Sequence, residues 1–164
     1  MKNKEPEMPC CPEFDPAPWD EKKIEWHGKL FIRRSSPQFL HMPLPGYPGR
    51  TIRKLWAEAE AAGAAPDMKD FLMLSHDCSP WMAHYYLAVK HSVPNADDHA
   101  IAGVFYTRVF DGPYRKIPQW MKEMNTFVES KGHKVIRYYF YYTTCPKCAK
   151  KYGHNFVVLF AQIS

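Results

Sequence analysis

The sequence predicts an α+β fold of two βαββ units, an antiparallel sheet with two amphipathic helices on one side. Three observations carry that expectation. Two stretches have helical periodicity and each stops at a glycine. Short runs rich in aromatic and β-branched residues flank them. The landmarks of the first half also recur in the second at nearly equal spacing, Gly63 answering Gly132 and Cys78 answering Cys145, so duplication is read from pattern and punctuation rather than from a repeated string.

Residues 1–27 hold Pro6, Pro9, Pro12, Pro16 and Pro18 among charges, which forbids a regular helix and favours an extended or turning strap with Trp19 and Trp26 as anchors. A short strand is expected over 29–34. Pro37, Pro43, Pro45 and Pro48 then define a long loop and exclude a central strand. Residues 49–62 read as a helix, with Ile52, Leu55, Trp56 and Ala59 on one stripe. An apolar run over 71–74, a turn at HDCSP and a strand over 81–93 complete the first unit. In the second unit a strand over 100–110 breaks at Gly112-Pro113-Tyr114. A helix follows with Ile117, Trp120, Met121, Met124, Phe127 and Val128 on its apolar stripe. Strands over 135–143 and 156–163 close the chain, joined by the loop TTCPKCAKKYGHN. The expected organisation is a strap over 1–27 and a single domain over 28–164, divided into 28–97 and 98–164.

Bulk properties limit the classes of function. A chain of 164 residues, 46% hydrophobic and 15% aromatic, is long enough for one domain with a substantial core. No stretch approaches the roughly 20 apolar residues of a membrane span, and the first residues contain no apolar run of the signal-peptide kind, so a cytoplasmic protein with no membrane partner is expected. The net charge of +5 is dispersed, and its densest cluster, Lys147, Lys150 and Lys151, reads as a solvated loop. Nucleic acid is therefore not the expected partner, while anionic small molecules remain compatible.

Five cysteines is an odd number for a disulfide framework, and a reducing compartment favours thiols or metal ligation. Cys145 and Cys148 form a C-x-x-C, a spacing that lets two thiolates share one tetrahedral zinc, with Cys10 and Cys11 as distant partners and His154 as a substitute ligand. Plain reduced thiols and a redox dithiol are the competing readings. For the redox reading a helix would have to begin at the motif, whereas a lysine-rich loop between antiparallel strands is expected. The groups available for catalysis are His76, Asp77, Cys78, Ser79, His84 and Cys145, although sequence neighbours in a turn point in different directions and do not make a catalytic pair by adjacency.

The run Val109-Phe110-Asp111-Gly112-Pro113-Tyr114, followed by an amphipathic helix, a glycine stop, an aromatic strand, a turn and a last apolar strand, resembles the GyrI-like family. The resemblance is specific over 103–163 and only topological over 29–93. It extends to a bacterial subfamily, sometimes labelled hydrolase, with CPEFDPAPW, FLMLSHDCSPW and YYTTCPKCAKKYG. GyrI-like domains form the effector-binding half of multidrug-sensing regulators and share their overall fold, a duplicated βαββ, with SOUL-type haem-binding-like proteins. The resemblance implies a cleft between the two units that takes up flat, often cationic molecules on aromatic walls. Tyr106, Tyr114, Trp120, Tyr139 and Tyr141, with Trp56 and Trp81 of the first half, are the residues to line it, core packing being the alternative for each.

Multidrug-binding members often place a glutamate on a late strand, and residues 155–164 contain no acidic residue, which argues against selectivity for cations. Asp77, Asp111 and Glu123 are the acidic groups left. Some family members hydrolyse strained rings in reactive compounds. The expectation is thus a small-molecule-binding protein for a flat or aromatic ligand, with a hydrolase of a reactive small molecule as the alternative and a zinc-stabilised structural protein as a second one.

Overall fold

The computed structural model describes residue 11 and residues 13–164. Its elements are β1 (Lys22–Phe39), β2 (Met42–Pro43), α1 (Tyr47–Ala61), β3 (Met73–Ser79), β4 (Met82–Ala88), β5 (Asp97–Asp111), α2 (Ile117–Ser130), β6 (Val135–Tyr142), α3 (Pro146–Tyr152) and β7 (Phe156–Ile163). The β1–β2, β1–β4, β3–β4, β5–β7 and β6–β7 ladders are antiparallel, and the α+β class read from the sequence is the one observed. Among the described residues no helix is long and apolar enough to cross a membrane. The chain divides into two compact units, one over 28–101 and the other over 11–27 together with 102–164.

In the unit over 28–101 the strand order is β2-β1-β4-β3. Register puts Arg33 opposite Tyr86 and Ser35 opposite His84 on β4, and His84 opposite His76 on β3. Strand side chains alternate between faces, so these residues share one face while Ile32, Met73, Tyr85 and Leu87 share the other. Leu55, Trp56 and Ala59 of α1 cover that second face and form its core.

Two differences from the sequence reading arise here. β1 begins at Lys22, so the end of the stretch read as strap, Trp26 included, is strand, and it continues through Ser35, Ser36 and Pro37 rather than ending at Arg34. Its outer neighbour β2 pairs only with Gln38 and Phe39, so Pro37 stands at the margin of the ladder, where a missing N–H is tolerated. β3 likewise runs through His76, Asp77 and Cys78, because the ladder with β4 outcompetes a turn, and the irregularity is confined to a register shift between Asp77 and Ser79.

In the second unit the order is β6-β7-β5. Trp120, Met124 and Val128 of α2 pack on Phe110, Phe140, Val157, Leu159 and Ala161. The opposite face presents Phe105 and Thr107 from β5, Tyr139 and Tyr141 from β6, and Val158 and Phe160 from β7. The strap lies on it. Trp26 packs on Phe105 and Phe160, Trp19 on Tyr141 and Phe160, and Phe14 on Tyr141 and Phe156. Thr107 Oγ1 donates to the Trp19 carbonyl, and the Asp20 carboxylate accepts from the Val109 N–H at 3.1 Å. Aromatic pairs of this kind contribute about 0.5–1.5 kcal/mol each beyond their buried area.

The third difference is α3, a helix where the sequence reading has only a loop. Cys145 is its N-cap, Pro146 its first residue, and Gly153 at φ 73° its left-handed stop. Proline at the start and glycine just past the end are helix punctuation, and with them seven residues suffice for two turns.

Candidate functional site

The face of the 28–101 sheet turned away from α1 gathers groups from four strands. Arg33 Nε donates to Asp97 Oδ2 at 2.8 Å. This bond raises the guanidinium pKa above its ordinary value, so the charge is held. Ser35 Oγ lies 2.9 Å from His84 Nδ1. Tyr86 packs between His84, at 6.3 Å between ring centres, and His99, at 5.3 Å. His76 occupies the position on β3 opposite His84. Burial first, then the positive fields of Arg33 and His76, lower the pKa of His84, with Asp97 opposing them in part. A neutral imidazole beside an exposed hydroxyl follows. When its proton sits on Nε2, Nδ1 accepts from Ser35 Oγ and polarises it.

Of the other groups considered for catalysis, Cys145 caps α3, and Asp77, Cys78 and Ser79 serve the β3–β4 corner. Asp77 accepts from Gln38 Nε2 at 2.7 Å and pairs with His41 Nδ1 at 2.7 Å. Cys78 Sγ donates to the Met82 carbonyl at 3.1 Å, and Ser79 Oγ accepts from the Trp81 N–H at 3.2 Å. His76 and Asp77 point to opposite faces, as neighbours on a strand must.

The aromatic candidates fall in several places. Trp56 is in the α1 core, its ring 6.2 Å from Phe71. Trp81 is 56% exposed at the β3–β4 corner and packs on Phe39. Tyr106 is on the α2 side, against Phe127 and His133. Trp120 is buried and stacks on Phe110 at 5.4 Å. Tyr139 and Tyr141 are buried on the strap-bearing face, and burial, reinforced by Cys11, pushes the Tyr141 hydroxyl up to about 12. Tyr114 remains 43% exposed, edge-on to Tyr142. Glu123 bonds Gln119 and borders a depression of about 350 Å³ with Arg108 and Phe127.

Beside α3, Asp111 closes β5. Its carboxylate pairs with His154 Nδ1 at 2.7 Å and accepts from the Asn155 N–H at 2.8 Å, while Asn155 Nδ2 donates to the Gly112 carbonyl at 2.7 Å. Burial pushes the Asp111 carboxyl up, but the bonds from His154 and Asn155 outweigh it and hold the pKa below the ordinary 3.8. The pair borders a second depression of about 410 Å³ with Lys150 and Gly153. His154 is thereby engaged with Asp111.

The structure brings Cys11, Cys145 and Cys148 together, their sulfurs all within 4.8 Å of one another, a donor set able to hold a metal ion. Cys10 lies outside the described residues. Burial pushes the Cys11 thiol up to about 12, the Cys145 N–H opposing this and the two other thiols reinforcing it.

Arg33, Ser35, Tyr86, Asp97 and His99 were not among the residues singled out by sequence reasoning. The signal available was period two: Arg33 and Ser35 alternate with Ile32, and His84 and Tyr86 with Ala83, Tyr85 and Leu87.

The fold is shared with solved structures. The EcmrR C-terminal domain matches with a TM-score of 0.66 and 14% identity, over 89% of this chain and 98% of that one. A hydrolase from Listeria innocua matches at 0.65 and 12%, over 89% and 93%. An uncharacterized conserved protein from the same organism gives 0.65 and 12%, over 87% and 91%. At these identities the likeness concerns the fold alone. Comparison with curated proteins gives no match. Residues 1–163 match the family described as Bacterial hydrolase, and the chain belongs to that family.

Proposed function

We propose that this protein binds a small, flat molecule bearing a polar or anionic group, on the face of the 28–101 sheet turned away from α1. The observation that carries the reading is the convergence there of the half-buried Arg33, His76, His84 and His99 around the buried ring of Tyr86, on the side of a sheet whose other side is filled by helix. A guanidinium fixed by one carboxylate is a planar donor fork, and the histidine rings supply flat surfaces and further hydrogen-bonding atoms. The fold type supports the reading by analogy alone. The test is thermal unfolding against flat aromatic compounds with and without an acidic group. Acidic members should raise the midpoint, since a ligand of the native state stabilises it. Arg33→Met should abolish that rise while the variant stays folded. Compounds that stabilise Arg33→Met as well as the native protein would move the site elsewhere.

A second reading, hydrolysis of a reactive ester or related acyl compound, is favoured by the Ser35–His84 contact and by the family description. Ser35 Oγ would add to the carbonyl carbon while His84 takes the hydroxyl proton. His84 would then return that proton to the leaving group, and water, activated in the same way, would release the acid and restore Ser35. Ser35→Ala should abolish turnover of an activated phenyl ester while ligand stabilisation persists. Equal turnover by Ser35→Ala and the native protein would exclude the mechanism.

A further inference from the structure

The described part of the strap begins at Cys11, a residue held from several directions. The Tyr152 hydroxyl donates to its carbonyl at 2.9 Å. Three residues on, Phe14 packs against Tyr141 and Phe156. This places the Cys11 sulfur over the N-terminal turn of α3. The Cys145 N–H points at it, N to Sγ 3.4 Å, and the Cys148 N–H points at Cys145 Sγ at 3.5 Å. Backbone N–H groups directed at sulfur steady a thiolate donor set and orient it. Cys148 is 2% exposed, whereas Cys145 faces solvent, so the cluster has a closed inner side and an entry path.

From these contacts we infer that Cys11, Cys145 and Cys148 form a three-thiolate site for a tetrahedral, thiophilic divalent cation, zinc in the first instance, and that the ion fastens the strap to α3. Zinc–thiolate bonds of about 2.3 Å put neighbouring sulfurs about 3.8 Å apart. Sulfurs within 4.8 Å therefore need to close by only about an ångström. A disulfide would use two of the three and leave the third, whereas a metal uses all of them. Oxygen-preferring cations do not suit the donor set, because every donor in it is sulfur. The fourth corner is left to a donor outside these three. Lys147, Lys150 and Lys151 stand on the same short helix, α3, that carries Cys145 at its N-cap and Cys148 within it. The consequence reaches the sheet: an ion joining residue 11 to residues 145 and 148 closes a long loop of chain, and the binding free energy then favours the seated strap, with Trp19 and Trp26 on Phe160.

The experiment uses the full chain, purified reduced, stripped with a chelator and titrated with cobalt(II) as the spectroscopic stand-in for zinc. One equivalent should produce sulfur-to-cobalt charge-transfer and tetrahedral ligand-field absorption, zinc should bleach both, and loading should raise the unfolding midpoint and protect the strap from proteolysis. Cys145→Ser replaces an exposed ligand and should fold normally while losing more than about a hundredfold in cobalt affinity, beyond what an outer-shell partner costs. Cys78→Ser, an exposed thiol outside the cluster, should change nothing. Absence of the charge-transfer band, equal affinity in Cys145→Ser, or a disulfide in the reduced preparation with no metal uptake would each overturn the assignment.

Discussion

The two units treat the helix-free face of their sheets differently. In the unit containing 102–164, Phe105, Tyr139, Tyr141 and Phe160 on that face are matched by Phe14, Trp19 and Trp26 of the chain's own strap, ring against ring. In the unit over 28–101 the corresponding face buries Phe31, Leu74 and Tyr86 but also carries Arg33, Ser35, His76 and His84, side chains that hydrogen-bond and titrate. Both sheets bury their other face beneath a helix. The lesson is that period-two alternation settles which residues share a face, while the chemistry of that face decides whether it serves as core or as a working surface.

Substitutions separate the two regions most sharply where the strap meets the sheet. Phe160 is fully buried beneath Trp19 and Trp26, and Phe160→Ala should cost about 3–5 kcal/mol in denaturant unfolding. His84→Ala, at a comparable place on the other sheet, should cost well under half of that. Similar losses at the two positions would break the comparison. Next comes the turn that leads from β5 into α2. Gly112 has φ 150°, and an added Cβ would sit 3.3 Å from the Trp120 ring, so Gly112→Val should cost about 1–3 kcal/mol. An unchanged midpoint would refute that account of the turn. Trp19 is only partly buried, and Trp19→Ala should lose about 1–2 kcal/mol while exposing the strap to protease. Resistance equal to that of the native chain would show that Phe14 and Trp26 suffice to seat it.

The smallest effect is the pH response, and the two regions should show it in different windows. His84 has a folded pKa below its ordinary 6.5, so the unfolded chain takes up its proton first. The stability is present above pH 6.5 and is lost as pH falls through the lower folded value. Asp111, held below 3.8, contributes stability that is present above that value and lost only as pH falls through its own folded pKa. His84→Gln should flatten the first of these losses and leave the second. Nuclear magnetic resonance titration of the His84 ring checks the sign directly, and a pKa above 6.5 would reverse it.

Much of this was legible in the residues themselves. The stripes Leu55-Trp56-Ala59 and Trp120-Met124-Val128 face their cores because helical periodicity depends only on local spacing. What escaped was whatever depended on competition between elements. Ser35, Ser36 and Pro37 read as loop, yet pairing with His84, Ala83 and Met82 holds them extended. CPKC read as part of a loop, although Pro146 and Gly153 mark a short helix. Arg33, Tyr86 and His99 carried no motif, since their proximity arises from register between strands far apart in sequence.

By itself the sequence determined the α+β class, the two amphipathic helices, the glycine stops and the restraint of the proline-rich start, because each follows from the local stereochemistry of a few consecutive residues. Only the tertiary structure decided that the strap packs on the face of β5-β7-β6, that Cys11 meets Cys145 and Cys148, and that Ser35 meets His84. Those are encounters between residues distant along the chain. Their geometry is fixed by which faces must be buried and by strand register, and neither can be read from any one segment.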